Sequence, residues 1–377
     1  MEIQGKFDPK FAEVVTEFEK NFTERGDVGA SFAATIEGEM VIDIWGGHRD
    51  ADKRLAWEAD TLTNVYSTTK TMTFMAALML ADRGLLDLNA PVAHYWPEFA
   101  ANGKAEIPVK HLLSHSAGLP GFSHRFSTAE LYDWQTVIDD LAAQAPWWEP
   151  GTQSGYHAIT QGFLIGEIVR RITGQSFGTW FQQNIAVPTG ADFHIGVDPA
   201  DFPRLANMIP DPSAQGGLLG PMAPDSMTAR VFGSVDLPTG TDNSPGWRQA
   251  EIPAANGHGN ARSVVRAQTA MANEGVAFGQ QLLSPAGANR SREVLLESTD
   301  LVLMFPVKFA MGYAYGSPWL PLCPNPNAIW WAGAGGSTIV VDKDNRICLS
   351  YVMNQMKSAM VGDERGASLA EALYKAL

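Results

Sequence analysis

The feature that most constrains the fold is a nearly uninterrupted apolar segment, Thr71 to Arg83, whose apolar side chains fall on almost every face of a helix. Such a helix is usually buried at the centre of a domain, because it has no polar face to present to water. The segment Ser67-Thr68-Thr69-Lys70 comes directly before it. The pattern therefore predicts a central buried helix that carries a serine and a lysine at its start.

Ser67 and Lys70 are three residues apart, a spacing that places two side chains on one face of a helix's first turn. A serine hydroxyl is a weak nucleophile at neutral pH and needs a neighbour that accepts its proton. A lysine can be that neighbour if burial or adjacent positive charge lowers its pKa. The helix N-terminus adds partial positive charge where an oxyanion would form. Ser67 is thus the candidate nucleophile, although a capping serine beside a surface lysine has the same spacing.

Strand-like segments lie at both ends of the chain, with helix-like segments between them. Residues 8–24 have helical periodicity, and the short apolar runs Ala30–Ile36 and Met40–Trp45 are typical of a β-hairpin. The later segments are predicted strands at Phe309–Tyr315, Ala328–Trp331, Thr338–Val341 and Ile347–Met353, and a helix at Glu364–Ala376. This order predicts one sheet built from the two termini, flanked by helices, with a helical region inserted.

The same order predicts where the domains begin and end. We expect a sheet domain of residues 1–85 together with 300–377, and a mostly helical inserted domain of residues 86–299. Pro, Gly, Ser and Asp are dense between Pro210 and Pro253. This composition predicts an irregular loop region near residues 210–255, and loops of that length are usually functional lids or poorly ordered insertions.

Two further glycine-rich segments have the composition of loops that line an active site. Tyr156 follows a polar, glycine-rich loop, Glu149–Gly155, and precedes the helix-like run Ala158–Ile172. The segment Trp331-Ala332-Gly333-Ala334-Gly335-Gly336-Ser337 joins two apolar stretches. A glycine-rich strand edge of this kind lets a substrate approach the backbone closely.

These motifs occur together with Gly84–Val92 and Leu112–Gly121, in a fixed order along the chain. In that order and at those separations, the set resembles the class C β-lactamase-like superfamily. Within it, the chain is most similar to the family VIII carboxylesterases. The resemblance extends from about Val14 to about Met353 and rests on several ordered motifs, the first being Ser-x-x-Lys.

The resemblance implies an α+β fold, in which an antiparallel β-sheet flanked by terminal helices lies beside a large inserted helical domain, with the site in the groove between. It also implies that Lys70 and Tyr156 together form the base system for Ser67. Which of the two is the immediate base stays open, because strongly coupled groups titrate as a unit. The implied oxyanion hole consists of the backbone amides of Ser67 and Ala334. The residues expected to contact substrate are Trp331, Gly333 and His258.

Two departures from the β-lactamase pattern favour esters over β-lactams. The triplet Tyr156-His157-Ala158 has alanine in place of the asparagine of Tyr-x-Asn, which contacts the substrate amide in the lactamases. Trp331-Ala332-Gly333 stands where penicillin-recognising enzymes carry Lys-Thr-Gly, and tryptophan cannot pair with a carboxylate as lysine can. We therefore predict a serine carboxylesterase for short- to medium-chain esters. The alternatives are a β-lactamase or D-amino-acid peptidase, an acyltransferase, and a non-catalytic scaffold protein.

Other serine-hydrolase patterns are present but have the wrong context. Gly174-Gln175-Ser176-Phe177-Gly178 matches G-x-S-x-G, but that motif requires a preceding strand. Gly162–Ile172 is typical of a helix, so we expect Ser176 in a helix–helix connector. His111 and His115 suggest a Ser-His-Asp arrangement, yet both lie in a stretch that resembles a structural loop of the family.

The composition limits partners and location. The 377 residues have a formal charge of −14, which argues against nucleic acid and anionic membranes as partners. The expected ligand is a small-molecule ester, with no cofactor and no metal, because no metal-ligand spacing is present. Cys323 and Cys348 are expected to be reduced thiols. Without a signal-peptide pattern or an apolar run of about 20 residues, a cytoplasmic protein is expected, of unknown oligomeric state.

Overall fold

The computed structural model describes residues 2–213, 223–318 and 320–377. The described strands are β1 Gln4–Phe7, β2 Gly29–Ile36, β3 Glu39–Gly47, β4 Thr63–Asn64, β5 His258–Gly259, β6 Val276–Ala277, β7 Gln280–Gln281, β8 Leu296–Thr299, β9 Pro306–Phe309, β10 Ala314–Tyr315, β11 Ile329–Ala332, β12 Thr338–Asp342 and β13 Ile347–Met353.

The described α-helices are α1 Ala12–Thr23, α2 Lys70–Asp82, α3 Val92–Tyr95, α4 Lys110–Leu113, α5 Thr128–Tyr132, α6 Trp134–Ala143, α7 Thr160–Thr173, α8 Phe177–Phe181, α9 Val187–Thr189, α10 Met227–Gly233, α11 Pro245–Gln249, α12 Ala261–Ala272, α13 Pro285–Arg290 and α14 Glu364–Lys375. The 3₁₀ helices are Pro9–Phe11, Tyr66–Thr69, Pro97–Ala100, Pro199–Arg204 and Thr241–Asn243, and Gln182–Ala186 is a π-helix.

The main sheet of the described residues has nine strands in the order β1-β3-β2-β13-β12-β11-β10-β9-β8, and every neighbouring pair is antiparallel. The N-terminal hairpin β2–β3 lies next to the C-terminal strand β13, with Ile36 opposite Ile347 and Ala30 opposite Met353. This arrangement confirms the predicted α+β fold and the sheet built from both ends of the chain.

One predicted strand is interrupted. The segment Phe309–Tyr315 was expected to be continuous, but β9 ends at Phe309 and β10 begins at Ala314. Between them Gly312 has a φ of +98° and donates its N–H to Ala310 O at 2.8 Å. A Cβ on Gly312 would lie 2.3 Å from the Phe74 ring of α2, so the close approach of that helix requires both the turn and the glycine.

Both faces of the sheet are covered by helices. On β13, Cys348 faces α12, since its Sγ lies 3.9 Å from Val265 O. Three residues later Tyr351 points to the opposite face, where α14 places the Arg365 guanidinium 5.8 Å from its ring centroid. Cys323 and Cys348 are both free thiols.

Helix α2 lies at the centre of the molecule, as its apolar composition predicts. All residues from Lys70 to Leu80 are buried, and the helix packs against α7, α12 and α13. The 3₁₀ helix Tyr66–Thr69 leads directly into it, so that Ser67 lies where the buried helix begins. The start of α2 therefore holds Ser67 and Lys70 on one rigid element.

The predicted division into residues 1–85 with 300–377 and residues 86–299 stays a proposal. Helix α12 packs on β2, β12 and β13, and β8 joins the sheet beside β9. Part of the irregular region near 210–255 lies outside the described residues; the rest contains α10, Thr241–Asn243 and α11. Among the helices that the structure describes, none combines the length and apolarity needed to cross a bilayer.

Candidate active site

Ser67 lies beside strand β11 of the main sheet, and the residue before it has an unusual backbone conformation. Tyr66, the residue before it, has a φ of +45°, a left-handed value that is strained for a tyrosine. Ser337, after the glycine-rich loop, donates to Val65 O at 2.8 Å, and its Oγ lies 2.9 Å from Thr68 Oγ1. These hydrogen bonds join the Ser67 turn to the start of β12, so the serine and the loop between β11 and β12 are held together.

Lys70 lies beside Ser67, and none of its partners among the described residues is a carboxylate. Its Nζ is 3.1 Å from Ser67 Oγ, and it donates to Ala158 O at 2.6 Å and to Ala254 O at 2.8 Å. The side chain is fully buried, and burial lowers its pKa well below the ordinary lysine value. An amine that exchanges protons near neutral pH requires this environment.

Tyr156 meets Ser67 from the opposite side. Its hydroxyl donates to Ser67 Oγ at 2.6 Å, and Lys70 Nζ lies 4.8 Å from its ring centroid. Burial raises the pKa of Tyr156 above its usual value, so the phenol keeps its proton and remains a donor. The Asp300 carboxylate accepts the Tyr156 backbone N–H at 3.0 Å and thereby fixes the start of this segment. The predicted trio of Ser67, Lys70 and Tyr156 thus converges in space.

The neighbouring histidines are packing residues rather than bases for Ser67. His115 Nδ1 accepts the backbone N–H of His157 at 3.2 Å, and its ring centroid lies 5.0 Å from that of Tyr156. His157 Nε2 accepts the Leu119 N–H at 3.1 Å. Burial lowers the pKa of both imidazoles, so both stay neutral at physiological pH. Neither imidazole hydrogen-bonds to Ser67, whose Oγ partners among the described residues are Lys70 and Tyr156, so the described residues form no Ser-His-Asp arrangement there.

The loop between β11 and β12 approaches the backbone of Ser67. A Cβ on Gly333 would lie 2.2 Å from Val65 O and 3.2 Å from Ser67 N, so only glycine permits this contact. Among described residues, the backbone N–H groups of Ser67 and Ala334 have no hydrogen-bond acceptor. Two free amides beside a nucleophile are what an oxyanion hole needs. Arg365 donates to Gly335 O at 2.5 Å and holds this loop in place.

Trp331 and His258 are both buried, and their predicted contact with substrate stays a prediction. Trp331 is fully buried, its ring centroid lies 5.5 Å from that of Tyr156, and its indole N–H has no acceptor among described residues. His258 donates from Nδ1 to Asn256 O at 2.8 Å and pairs with Asn64 in the short β4–β5 sheet. Its side chain makes no hydrogen bond to the Ser67 trio.

Ser176 has the structural role that its sequence context indicates. Helix α7 ends at Thr173 with Gly174 as its C-cap, and Ser176 caps α8 by accepting the Thr179 N–H at 3.3 Å. Its hydroxyl donates to Glu251 at 2.6 Å. The predicted helix–helix connector is confirmed, and no lysine or histidine is bonded to this serine. Within the described ranges, no group of three or more His, Cys, Asp or Glu side chains is arranged to hold a metal ion.

Two contributors to the site, the Ala254 carbonyl and Asp300, were not predicted from the sequence. The Ala254 carbonyl carries no residue-type signal, because a backbone oxygen is present at every position. Asp300, by contrast, could have been recognised from the sequence, because it is a single acid directly before the apolar stretch Leu301–Phe305. It is fully buried and accepts three backbone N–H groups, those of Tyr156, Val302 and Leu303. A lone buried acid of this kind needs such donors.

Fold and site together define the class as a serine hydrolase, in which the candidate nucleophile Ser67 lies at the start of a buried helix. The chain belongs to the Beta-lactamase family, whose model matches residues 17–374. It is 34% identical over 368 residues to the esterase/beta-lactamase LipL of Mycobacterium tuberculosis, covering 95% of this chain and 84% of LipL.

Solved structures extend the comparison over the complete chain. A family VIII carboxylesterase is 41% identical with a TM-score of 0.90, and all of both chains is covered. A penicillin-binding protein homologue from Caulobacter crescentus is 36% identical with a TM-score of 0.93, again over all of both chains. EstA from Arthrobacter nitroguajacolicus Rue61a is 28% identical with a TM-score of 0.88, covering all of this chain and 98% of EstA.

Proposed function

We propose that the protein is a serine carboxylesterase that hydrolyses short- to medium-chain esters of small molecules through an acyl-enzyme on Ser67. The observation that carries the proposal is the position of Ser67 Oγ, 3.1 Å from Lys70 Nζ and 2.6 Å from the Tyr156 hydroxyl. Similarity to a family VIII carboxylesterase and to LipL supports ester hydrolysis.

Lys70 is the group that we infer to accept the Ser67 proton. Two of its N–H groups are directed to the carbonyls of Ala158 and Ala254, which leaves one position on the nitrogen facing Ser67. In the neutral amine that position is a lone pair. Because burial lowers the pKa of Lys70 and raises that of Tyr156, the amine and the phenol are the favoured forms. The amine is then the base, and the phenol is the proton donor.

The reaction follows from these assignments. Ser67 Oγ attacks the ester carbonyl as its proton moves to Lys70, and the oxyanion binds to the amides of Ser67 and Ala334. Each such donor typically contributes about 3 kcal/mol to lowering the barrier. Tyr156 donates its proton to the departing alkoxide and recovers one from Lys70. Water then attacks the acyl-enzyme, giving its proton to the same pair, and the acid leaves as Ser67 is reprotonated.

The groups near the nucleophile favour neutral esters over β-lactams. At Ala158 the backbone carbonyl holds Lys70, and the side chain is a methyl group that offers no amide to a substrate. Trp331, in place of a lysine, supplies no charge for a carboxylate. β-Lactam hydrolysis remains the second candidate, because LipL is named as both esterase and β-lactamase. Turnover of a chromogenic cephalosporin above 10% of the best ester rate would favour that candidate.

The test is hydrolysis of p-nitrophenyl acetate, butyrate and octanoate by wild type, Ser67→Ala and Ser176→Ala. We expect Ser67→Ala to lose turnover, and Ser176→Ala to retain it, because Ser176 is bonded only within its own cap and to Glu251. The acyl-length profile then measures the size of the pocket. Activity lost in Ser176→Ala and kept in Ser67→Ala would refute the assignment. A cytoplasmic location is a further proposal, which fractionation of the source cells tests.

A further inference from the structure

The tyrosine before the candidate nucleophile is bonded to a carboxylate from the irregular region. Tyr66 donates to Asp242 Oδ2 at 2.6 Å, and both side chains are half-buried. The next residue, Asn243, hydrogen-bonds the backbone N–H and C=O of Met208 at 2.8 and 2.9 Å, which fixes this part of the loop. The Asp242 carboxylate is therefore separated from the backbone next to Ser67 by the length of the Tyr66 side chain. That length is within the Debye length of about 10 Å at 0.1 M salt, so the charge of Asp242 can act on a substrate at Ser67.

The charge of Asp242 is not neutralised by an ion pair. Arg248 is the basic side chain whose charge acts on it, but Arg248 donates to Asn207 Oδ1 at 2.7 Å and lies over the Phe202 ring. No described residue forms a salt bridge with Asp242. Burial raises the pKa of Asp242, and the hydrogen bond from Tyr66 opposes that rise, so the effect of its charge is tested in mildly alkaline solution.

The other described groups around Ser67 provide no counter-charge. Lys70 is buried, and its environment disfavours the ammonium form. His115 and His157 are neutral. Trp331 stands where a lysine would otherwise supply a cation. The half-buried ring of Tyr66, by contrast, is an aromatic surface next to a carboxylate, and that combination binds cations.

We propose that Asp242 and Tyr66 make the site select esters by charge, accepting those with a cationic substituent and rejecting those with a carboxylate. This inference rests on the proposed esterase function and names its substrate class. The carboxylate acts through space on the approach and binding of the substrate, so its effect should appear in kcat/KM and diminish with salt.

The test uses p-nitrophenyl esters of three matched acyl groups: hexanoate, adipate monoester and trimethylammonio-hexanoate. A second series places the same charges in the alcohol portion of hexanoate esters. kcat/KM is measured at pH 8 in 10 mM and 500 mM salt for wild type, Asp242→Asn, Tyr66→Phe and Asp225→Asn. Asp242→Asn keeps an acceptor for Tyr66 but removes the charge, whereas Tyr66→Phe keeps the charge but loses the bond. Asp225 is an exposed aspartate of the same irregular region and controls for net charge.

The measured quantity is the cationic-to-anionic ratio of kcat/KM, because changes common to all esters cancel in it. We expect a wild-type ratio above about 10 at low salt, reduced roughly threefold to tenfold in Asp242→Asn and unchanged in Asp225→Asn and Tyr66→Phe. An unchanged ratio in Asp242→Asn in both series would overturn the inference. If Ser67→Ala hydrolyses the neutral hexanoate ester as wild type does, the proposed function itself fails.

Discussion

Lys70 and Arg365 are both fully buried basic side chains, yet their surroundings are opposite. Within the described part of the chain Lys70 hydrogen-bonds to uncharged groups, namely the Ser67 hydroxyl and two backbone carbonyls, and burial lowers its pKa well below the usual value. Burial acts in the same direction on Arg365, but Tyr351 and two aspartates outweigh it, and the pKa of Arg365 is raised. Burial alone therefore makes the proton of a buried cation labile, and acidic partners make the charge permanent.

The arginine cluster shows what a permanent charge does. Arg365 is 2.6 Å from Asp27 and 2.6 Å from Asp363, and it donates to Gly335 O at 2.5 Å. It therefore fixes α14 to the loop that carries Ala334. Lys70 has no such counter-ion among the described residues, and burial favours the loss of its proton. Arg365 thus holds the glycine-rich loop, whereas Lys70 has the environment that the proposed proton transfer requires.

The largest expected effect comes from replacing Lys70 with methionine, which has a similar length and no charge. kcat/KM for p-nitrophenyl butyrate should fall by about 10⁴-fold because Ser67 loses its base. The free energy of unfolding should change by less than about 2 kcal/mol, since two lost hydrogen bonds are offset by removing a buried amine. Steady-state rates and urea denaturation measure the two quantities. Retained activity would remove Lys70 from the mechanism.

The matching substitution, Arg365→Met, should act on stability. It leaves the buried Asp27 and the partly buried Asp363 without their cation, and breaking a buried pair costs about 3–5 kcal/mol of unfolding free energy. Urea denaturation at pH 7 gives the loss, and Arg365→Lys, which keeps the charge without the planar fork, should lie between. If Arg365→Met were no less stable than Lys70→Met, the conclusion that Arg365 stabilises the fold more than Lys70 does would be wrong.

Each of the two buried basic side chains lies beside a buried tyrosine, Lys70 beside Tyr156 and Arg365 beside Tyr351. Replacing each tyrosine with phenylalanine separates a role in catalysis from a role in stability. Tyr156→Phe should lower kcat about 10²- to 10³-fold, because the leaving alkoxide loses its proton donor. Tyr351 donates to Asp27, so Tyr351→Phe should instead cost about 1–2 kcal/mol of stability and leave kcat unchanged. Kinetics and urea denaturation of both variants test this. The reverse pattern would mean that the two sites have been assigned the wrong roles.

The smallest expected effect is a difference in pH dependence. An unfolded chain holds the Lys70 proton up to about pH 10.4, whereas the folded chain releases it at lower pH. Between these two pKa values the unfolded state binds more protons, so stability rises with pH, by at most about 1.4 kcal/mol per pH unit. Lys70→Met lacks this rise.

Urea denaturation from pH 7 to pH 10 should therefore show wild type gaining stability relative to Lys70→Met. Arg365 stays charged in both states over this range and contributes no slope. Asp27, whose pKa burial raises to about 6, affects stability only at lower pH, where its extra folded-state affinity for a proton is lost as pH rises through 6. A constant difference between wild type and Lys70→Met would contradict the lowered pKa.

Local patterns made much of this fold predictable. A nearly continuous apolar segment located α2, two short apolar runs located the hairpin, and the strand Ile347–Met353 was predicted with its observed limits. The trio of Ser67, Lys70 and Tyr156 could be named because each carries a residue-type signal inside a recognisable motif. Its convergence at 2.6 and 3.1 Å could not be derived from spacing, since Tyr156 is 89 residues from Ser67 in the sequence.

What remained hidden depends on contacts between distant segments. Arg365 and Asp27 are 338 residues apart, and nothing local marks either as half of a buried pair. The carbonyl of Ala254 acts through its backbone, which no residue type reports. The break after Phe309 arises because the Phe74 ring occupies the space beside Gly312. Each of these features is a property of the packed molecule and not of a sequence window.

The most direct test of the central claim is to locate the acylated serine. Wild type, Lys70→Met and Arg365→Lys are treated with a fluorophosphonate, digested and mapped by mass spectrometry. We predict that the label is on Ser67 in wild type, that labelling at Ser67 is at least about 10²-fold slower in Lys70→Met, and that it persists in folded Arg365→Lys. A label on Ser176, or equal labelling of Ser67 without Lys70, would contradict the account.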